Sequence, residues 1–219
     1  MKYAGIAKLH HASLAGNLKA IQIFSLLVFF GLIISIFYQP IEILVCAAVS
    51  GVFTLLYALP VFSKKRNLRA LPGFKIYVIG FVVSIVTVLL PLVLYEDLLQ
   101  RDIVIEFIQR FLLVIALIIP FEIRDLKFDT AQLGTIPQKT GVDNSKKIGY
   151  FLVAMVVTAE YFKQDLNKIN VIGISVMAII TIFLLKGSTI KQGEYYASFW
   201  VESIPIMWFL LLVGLTAVI

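Results

Sequence analysis

Long runs of apolar residues, separated by short polar segments, extend over most of this chain. A helix that crosses the hydrocarbon core of a bilayer needs about 20 mostly apolar residues. The pattern predicts an all-α fold: a polytopic transmembrane helix bundle of about seven spans, forming a single integral membrane domain over residues 1–219. The shortest run, near residue 150, has the least sharply marked ends. The predicted spans are residues 20–37, 41–60, 74–94, 103–120, 148–161, 170–186 and 197–218.

The composition supports a membrane-embedded protein and excludes an ordinary soluble one. Of the 219 residues 60% are hydrophobic, and the mean hydropathy is +0.97. Soluble domains have only about 45–50% apolar residues. The one cysteine, Cys46, lies in an apolar run, so the chain can form no intrachain disulfide. The lipid bilayer is therefore the first partner that the sequence predicts.

Basic residues, which give the chain its net charge of +6, gather in a few polar segments. If the N-terminus is inside, most of the 19 basic residues lie on one side of the membrane. Lysine and arginine are enriched in cytoplasmic loops, so this asymmetry predicts a topology and not nucleic-acid binding. We expect the bacterial inner (plasma) membrane, with an acid-rich loop at 121–147 on the cytoplasmic side. The basic segments are residues 1–19, 61–73, 121–147 and 187–196.

The acid-rich loop carries the clearest candidate chemistry. Glu122, Asp125 and Asp129 follow one another at i, i+3 and i+7, a spacing that places them on one face of a helix. Carboxylates grouped in this way need cations, and Mg²⁺ commonly shares its oxygen ligands with a phosphate. Gly134 and Pro137 follow, in a stretch that suits a tight turn. The trio predicts a Mg²⁺ site at the membrane surface.

A basic segment on the same predicted side could supply the partner charges for a phosphate. Lys64, Lys65 and Arg66 lie there, and cationic side chains bind phosphate well. Together with acids that hold Mg²⁺, they predict a diphosphate site above an apolar bundle that could bury an isoprenoid tail. The alternative for these bases is topology alone, and for the acids a solvated, charge-balanced loop.

These residues resemble motifs of the UbiA superfamily of intramembrane prenyltransferases. The acid trio followed by Gly-Thr-Ile-Pro at 134–137 is similar to the second aspartate-rich motif of that family. The stretch from Tyr57 and Pro60 to Lys64, Lys65 and Arg66 is similar to its Tyr/Pro/Lys/Arg segment. The seven spans would correspond to helices three to nine of the UbiA-type fold. The family's first motif, NDxxDxxxD, has no counterpart, and residues 1–19 contain no acid.

The resemblance implies Mg²⁺-dependent transfer of a prenyl group from a prenyl diphosphate to a lipophilic acceptor, aromatic or lipid. Glu122, Asp125 and Asp129 would hold the metal, with Asp125 and Asp129 as the catalytic acids. Diphosphate would be bound by Lys64, Lys65, Arg66 and Lys139. The missing first motif leaves two interpretations of the chain, an N-terminally truncated enzyme or a divergent member. A divergent member could be a catalytically inactive, lipid-binding or partner-assisting protein, and a small transporter is the third alternative.

One further pair of charges lies inside an apolar run. Glu106 and Arg110 are four residues apart, so they share a helix face. Ionisable residues within a span usually face the bundle interior and pair with one another. We expect an intrahelical salt bridge between these two side chains, with a substrate role as the alternative.

Overall fold

A computed structural model describes residues 18–59, 73–128 and 133–218, together with their side chains except that of Val218. These residues form helices and their connections, with no strand among them. The chain divides into two compact units, Met1–Leu44 and Val45–Ile219.

The first unit contains helix α1 (Leu18–Ile36) and the start of α2 (Ile41–Ala58). The prediction for 20–37 agrees with α1 to within two residues. No residue of α1 is buried, and its sequence is apolar on every face, as expected of a helix surrounded by lipid. The helix is followed by a turn at Phe37–Gln39, whose backbone amides donate hydrogen bonds of 3.1–3.2 Å to carbonyls of its last turn.

The described residues of the second unit form the rest of α2 and a bundle of six further helices. Two of the apolar segments include π-helical turns, at Ile85–Leu89 within α3 and at Tyr196–Val201 before α8. Such turns occur often at functional sites. The helices are α3 (Lys75–Leu92), α4 (Arg101–Asp125), α5 (Ile136–Thr140), α6 (Val142–Glu160), α7 (Lys168–Gly187) and α8 (Ile204–Val218).

Helix α4 is the centre of this bundle, where it contacts α3, α6 and α7. Its apolar face supplies much of the main buried cluster, in which side chains of α6 and α7 complete the packing. Between helices in a membrane, such close packing is a principal source of stability. The buried residues of the cluster are Ala116, Ile119, Ile123, Val153, Ala178 and Leu185.

Helix α6 runs antiparallel to α4 and beside it over most of its length. The Gln109 side chain on α4 donates to the carboxylate of Glu160 at the end of α6 (2.9 Å). Near the other end of α6, an added Cβ at Gly149 would lie 3.3 Å from Ile119 Cδ1 on α4. The helix starts six residues earlier than the predicted span at 148–161, in the polar sequence Val-Asp-Asn-Ser-Lys-Lys.

Six of the described helices are long and apolar enough to cross a membrane, which indicates a multi-pass integral membrane protein. The seven predicted spans correspond to these six and to α6, which is too polar to meet the same criterion. The six comprise α1, α2, α3, α4, α7 and the segment Tyr196–Ala217.

Helix α4 continues past Pro120, where the predicted span ends, as far as Asp125. Proline in a helix removes one backbone donor and perturbs the preceding turn. Here the carbonyl of Pro120 accepts a hydrogen bond from Gln192 Nε2, at 2.9 Å, from the connection after α7. The segment 121–147 is therefore not a loop throughout: it contains the end of α4, all of α5 and the start of α6.

Candidate functional site

Gly73, the last residue of the basic segment 61–73, contacts the turn that follows the acid trio. The Gly73 amide donates to the carbonyl of Leu133 at 2.9 Å. Gly73 has φ +75°, and a Cβ there would lie 3.0 Å from the Gly134 carbonyl oxygen. Only glycine accepts this backbone conformation and this approach without strain. The structure thus joins the two polar segments that the sequence analysis placed on the same side of the membrane.

We predict that Gly73→Ala lowers the free energy of unfolding by about 1–3 kcal/mol, the usual cost of a non-glycine residue in strained backbone. The added methyl group would also press on the Gly134 carbonyl. Thermal unfolding in detergent would measure the change. Gly193→Ala is the matched control, since a Cβ there meets no atom within 4 Å. Equal midpoints for the two variants would contradict the contact.

The Gly-Thr-Ile-Pro sequence begins the short helix α5. Thr135 is the N-cap residue, and its amide donates to Gln138 Oε1 at 3.2 Å, the bond by which the third residue of a capping box satisfies a backbone donor. Pro137 is tolerated because it lies in the first turn. Helix α5 carries Lys139, whose Nζ lies 3.4 Å from the position that a Gly73 Cβ would occupy. Lys139, which the sequence analysis predicts to bind diphosphate, therefore lies where the two polar segments meet.

Glu122 has a structural partner at this end of the bundle. The residue is only 3% exposed, and its Oε2 accepts a hydrogen bond from the Ile136 amide at 3.1 Å. A buried carboxylate needs such donors. Glu122 thereby ties the last turn of α4 to the first turn of α5.

Asp125, one turn further along α4, borders a cavity instead. Its Oδ1 accepts from Arg124 Nε at 2.8 Å, and its side chain is 30% exposed. The cavity has a volume of about 460 Å³, within the usual range of roughly 300–1,000 Å³ for ligand sites. Lys75 and Glu202 supply its other charged groups. Its apolar wall is formed by Ile79, Val83, Val114, Leu117, Ile118, Phe121, Val201 and Pro205.

The structure thus brings Glu122, Asp125 and Lys139 to one end of the bundle, although Glu122 and Asp125 have different neighbours. Asp129, Lys64, Lys65 and Arg66 lie outside the described residues. Within the described ranges no three His, Cys, Asp or Glu side chains are placed to hold a metal ion. The metal and diphosphate roles of these residues stay predictions.

Lys75 is a cavity residue that the sequence analysis assigned to no site. It is the first residue of α3 and borders the same cavity as Asp125. The sequence feature that could have indicated Lys75 is its position, directly after a basic segment and at the start of an apolar run. That feature is the same for a lysine that merely marks topology.

A second group of charges lies at the Glu106 end of α4, and the predicted salt bridge there is wrong. Glu106 pairs with Lys163 at 3.6 Å, and Lys163 also pairs with Glu160 at 2.8 Å. Arg110 makes no salt bridge within the described part of the chain; its guanidinium lies over the Trp208 ring, 4.7 Å from the centroid. The connection after α6 brings in Lys163, a residue 57 positions from Glu106 in sequence, which helix spacing alone cannot indicate.

Comparisons of the chain with protein-family models, with characterised proteins and with solved structures found no match.

Proposed function

We propose that the chain is a prenyltransferase-like membrane protein that binds a prenyl diphosphate at the Asp125 cavity and transfers its prenyl group to an aromatic or lipid acceptor. One observation carries the proposal: the cavity has charged side chains at Asp125 and Lys75 and an apolar wall along α3 and α4. A site of this kind matches an amphiphile with a charged head and a hydrocarbon tail. The resemblance of the acid and Gly-Thr-Ile-Pro motifs to the UbiA superfamily selects a prenyl diphosphate among such molecules.

The apolar wall suits the tail. Leu117, Ile118 and Phe121 lie on α4 within two turns of Asp125, and Ile79 and Val83 face them from α3. Burying a hydrocarbon chain here gains about 25 cal/mol for each Å² removed from water. Since Asp125 is at the last residue of α4, the head would lie at the membrane surface and the tail along the bundle.

The head would be held by the groups at the Gly73–Leu133 junction. Lys139 and Lys75 would balance the phosphates, together with Lys64, Lys65 and Arg66 from the adjoining basic segment. Of the acids, Asp125 fits a metal role best because its carboxylate is partly exposed at the cavity. Glu122 is engaged with Ile136, so it would support the site unless the last turn of α4 rearranges.

Asp125, Asp129 and Glu122 are the residues that would hold Mg²⁺. When bound, the ion would stabilise the charge that develops on a departing diphosphate. Arg124 donates a hydrogen bond to Asp125 in the structure, and this bond would break when a cation binds the Asp125 carboxylate. In the proposed topology this end of the bundle faces the cytoplasm of a bacterial cell, where prenyl diphosphates would be supplied in water-soluble form.

We predict that Asp125→Asn abolishes Mg²⁺-dependent binding of a prenyl diphosphate and any prenyl transfer. The loss of the negative charge removes the cavity's metal ligand while the side chain keeps its size. Equilibrium binding of farnesyl diphosphate to the purified chain in detergent, with Mg²⁺ and with EDTA, would measure this. Asp143→Asn is the matched control, because Asp143 is an exposed acid in the first turn of α6 and does not line the cavity.

Full Mg²⁺-dependent binding by Asp125→Asn, or no binding by the unmodified chain, would overturn the proposal. Binding without transfer to any of a panel of quinone precursors and aromatic acids would replace it with the lipid-binding alternative. The same cavity would then act as a carrier or partner site without catalysis.

A further inference from the structure

A second cavity, of about 270 Å³, lies beside the charged group at the Glu106 end of α4. Side chains of α4, α6, α7 and α8 surround it, and Pro205 separates it from the Asp125 cavity. Glu106, Arg110, Glu160 and Lys163 all border it. Ionisable residues within a membrane bundle are expensive to bury, and they usually mark a functional site.

Three buried polar atoms around this cavity have no hydrogen-bond partner: Arg110 Nε, Trp208 Nε1 and Glu160 Oε1. Buried polar groups are almost always paired, so each exception needs an explanation. Glu160 is only 1% exposed, so bulk solvent does not satisfy its free oxygen. The cavity therefore presents two unsatisfied donors and one unsatisfied acceptor.

The bonds already made in this group define what a ligand must supply. Lys163 and Gln109 both approach Glu160 Oε2, at 2.8 and 2.9 Å, which leaves Oε1 for another donor. Lys163 Nζ also forms an ion pair with Glu106 Oε2, at 3.6 Å. The Arg110 guanidinium, stacked on Trp208, is left as a cation without a carboxylate partner among the described residues.

We infer that this cavity binds a zwitterionic group, with an oxyanion at Arg110 and Trp208 and a primary ammonium at Glu160. Guanidinium groups bind phosphate oxygens strongly and with defined geometry, and an ammonium supplies the N–H that Glu160 Oε1 lacks. The formal charges of the four ionisable side chains cancel, so a ligand without net charge preserves the balance. A quaternary ammonium, which has no N–H, would leave Glu160 unsatisfied.

Size and surroundings point to an ethanolamine phosphodiester, either in a water-soluble molecule or as the head of a phospholipid, since a diester carries one negative charge to balance the ammonium. The volume of the cavity is close to the lower limit of roughly 300 Å³ for ligand sites, so it fits a headgroup and not a whole lipid. Phe209, which is 64% exposed, and Leu212 lie at its border on α8, where acyl chains would reach them. This inference is independent of prenyl transfer, because it uses none of the residues assigned to the diphosphate.

Trp208 offers a direct readout of the cavity, since the chain contains only two tryptophans. Trp200 does not border the cavity and is 55% exposed, so Trp200→Phe leaves Trp208 as the single tryptophan, which is excited selectively at wavelengths that tyrosine does not absorb. We would titrate this variant in neutral detergent with dihexanoylphosphatidylethanolamine and with water-soluble glycerophosphoethanolamine, which carries the same zwitterionic head. The phosphatidylcholine and phosphatidylglycerol of the same chain length are the headgroup controls.

We expect a saturable change in Trp208 emission with the ethanolamine lipid and at least tenfold weaker binding of the choline and glycerol lipids. Glu160→Gln, added to the reporter variant, should weaken ethanolamine binding at least tenfold. Glu96→Gln, an exposed acid in the connection before α4, should not change it. Saturation by glycerophosphoethanolamine at similar concentrations would identify a soluble ligand, and saturation by the lipid alone would identify a membrane lipid.

No saturable change with either ethanolamine compound would overturn the inference and leave water as the partner of the three atoms. Equal binding of the glycerol lipid would also overturn it, because that head offers no ammonium to Glu160. Because Glu160→Gln changes a buried side chain, the unfolding midpoint of this variant is measured alongside. Arg110→Lys provides a second test, in which the charge remains but the guanidinium geometry is lost, and it should also weaken binding at least tenfold.

Discussion

Replacing Lys163 by methionine should lower the free energy of unfolding by about 3–5 kcal/mol, the range for removing one partner of a buried ion pair. The Lys163 side chain is 10% exposed and that of Glu160 only 2%. Methionine keeps most of the apolar length of lysine, so the change removes the ammonium and little packing. Glu160 would then be a buried carboxylate with no ion-pair partner among the described residues, left with the hydrogen bond from the Gln109 amide. Denaturant or thermal unfolding in detergent would measure the loss.

Two further variants separate the ion pair from other causes. Lys168→Met removes an exposed ammonium at the start of α7 and should leave unfolding unchanged. Glu160→Gln in the Lys163→Met background removes the unpaired charge and should recover most of the lost stability, since buried pairs are often replaceable by neutral groups. A midpoint for Lys163→Met equal to that of the unmodified chain would show that the pair does not stabilise the bundle.

Gly149→Leu is the second variant for which we expect a large loss, of about 1–3 kcal/mol or more from overpacking. A Cβ at this position on α6 would lie 2.9 Å from both methyl carbons of Leu185 and 3.3 Å from Ile119 Cδ1. Leu185 and Ile119 are 0% and 1% exposed, so neither can turn away into open space. Small residues allow helices to approach closely within membranes, and Gly149 does so where α4, α6 and α7 meet.

Gly214→Leu is the control for the added side chain. Gly214 lies on α8, is exposed, and a Cβ there meets no atom within 4 Å. This variant should be at least as stable as the unmodified chain, because glycine is a poor helix former. A comparable loss of stability in both variants would show that the glycine backbone, and not the contact of three helices, explains the result.

The lengths of the apolar runs predicted the spans well because the thickness of the hydrocarbon core of the bilayer sets them. The runs at 41–60 and 170–186 correspond to α2 and α7 within two residues at each end. Run length was least informative for α6, whose first two turns are polar and lie at the end of the bundle against α5 and α7. It also ended α4 at Pro120, although a proline near a helix end does not prevent five more helical residues.

The candidate site shows a different limit of sequence reasoning. The spacing of Glu122 and Asp125 fits one helix face, and both lie on α4 although the sequence analysis predicted a loop. The spacing does not indicate that the first is buried against α5 and the second borders a cavity. Helical spacing likewise paired Glu106 with Arg110, whereas the structure supplies Lys163 from a distant part of the chain. Local periodicity gives the face of a helix, and tertiary packing decides which neighbour that face meets.

The π-helical turn at Ile85–Leu89 is equivalent to one extra residue inserted into α3. The total length of the helix does not reveal this insertion. A residue added to or removed from a helix turns everything beyond it by about 100°. Deleting one residue here would leave an apolar segment still long enough to cross a bilayer, yet it would rotate Lys75 and Ile79 relative to the helical turn at Leu90–Leu92. Lys75, Ile79 and Val83, the α3 residues that border the Asp125 cavity, all precede this turn. Among chains of this architecture, a difference of one residue in this span would therefore rotate the cavity wall relative to the end of α3, while hydropathy profiles stayed nearly identical.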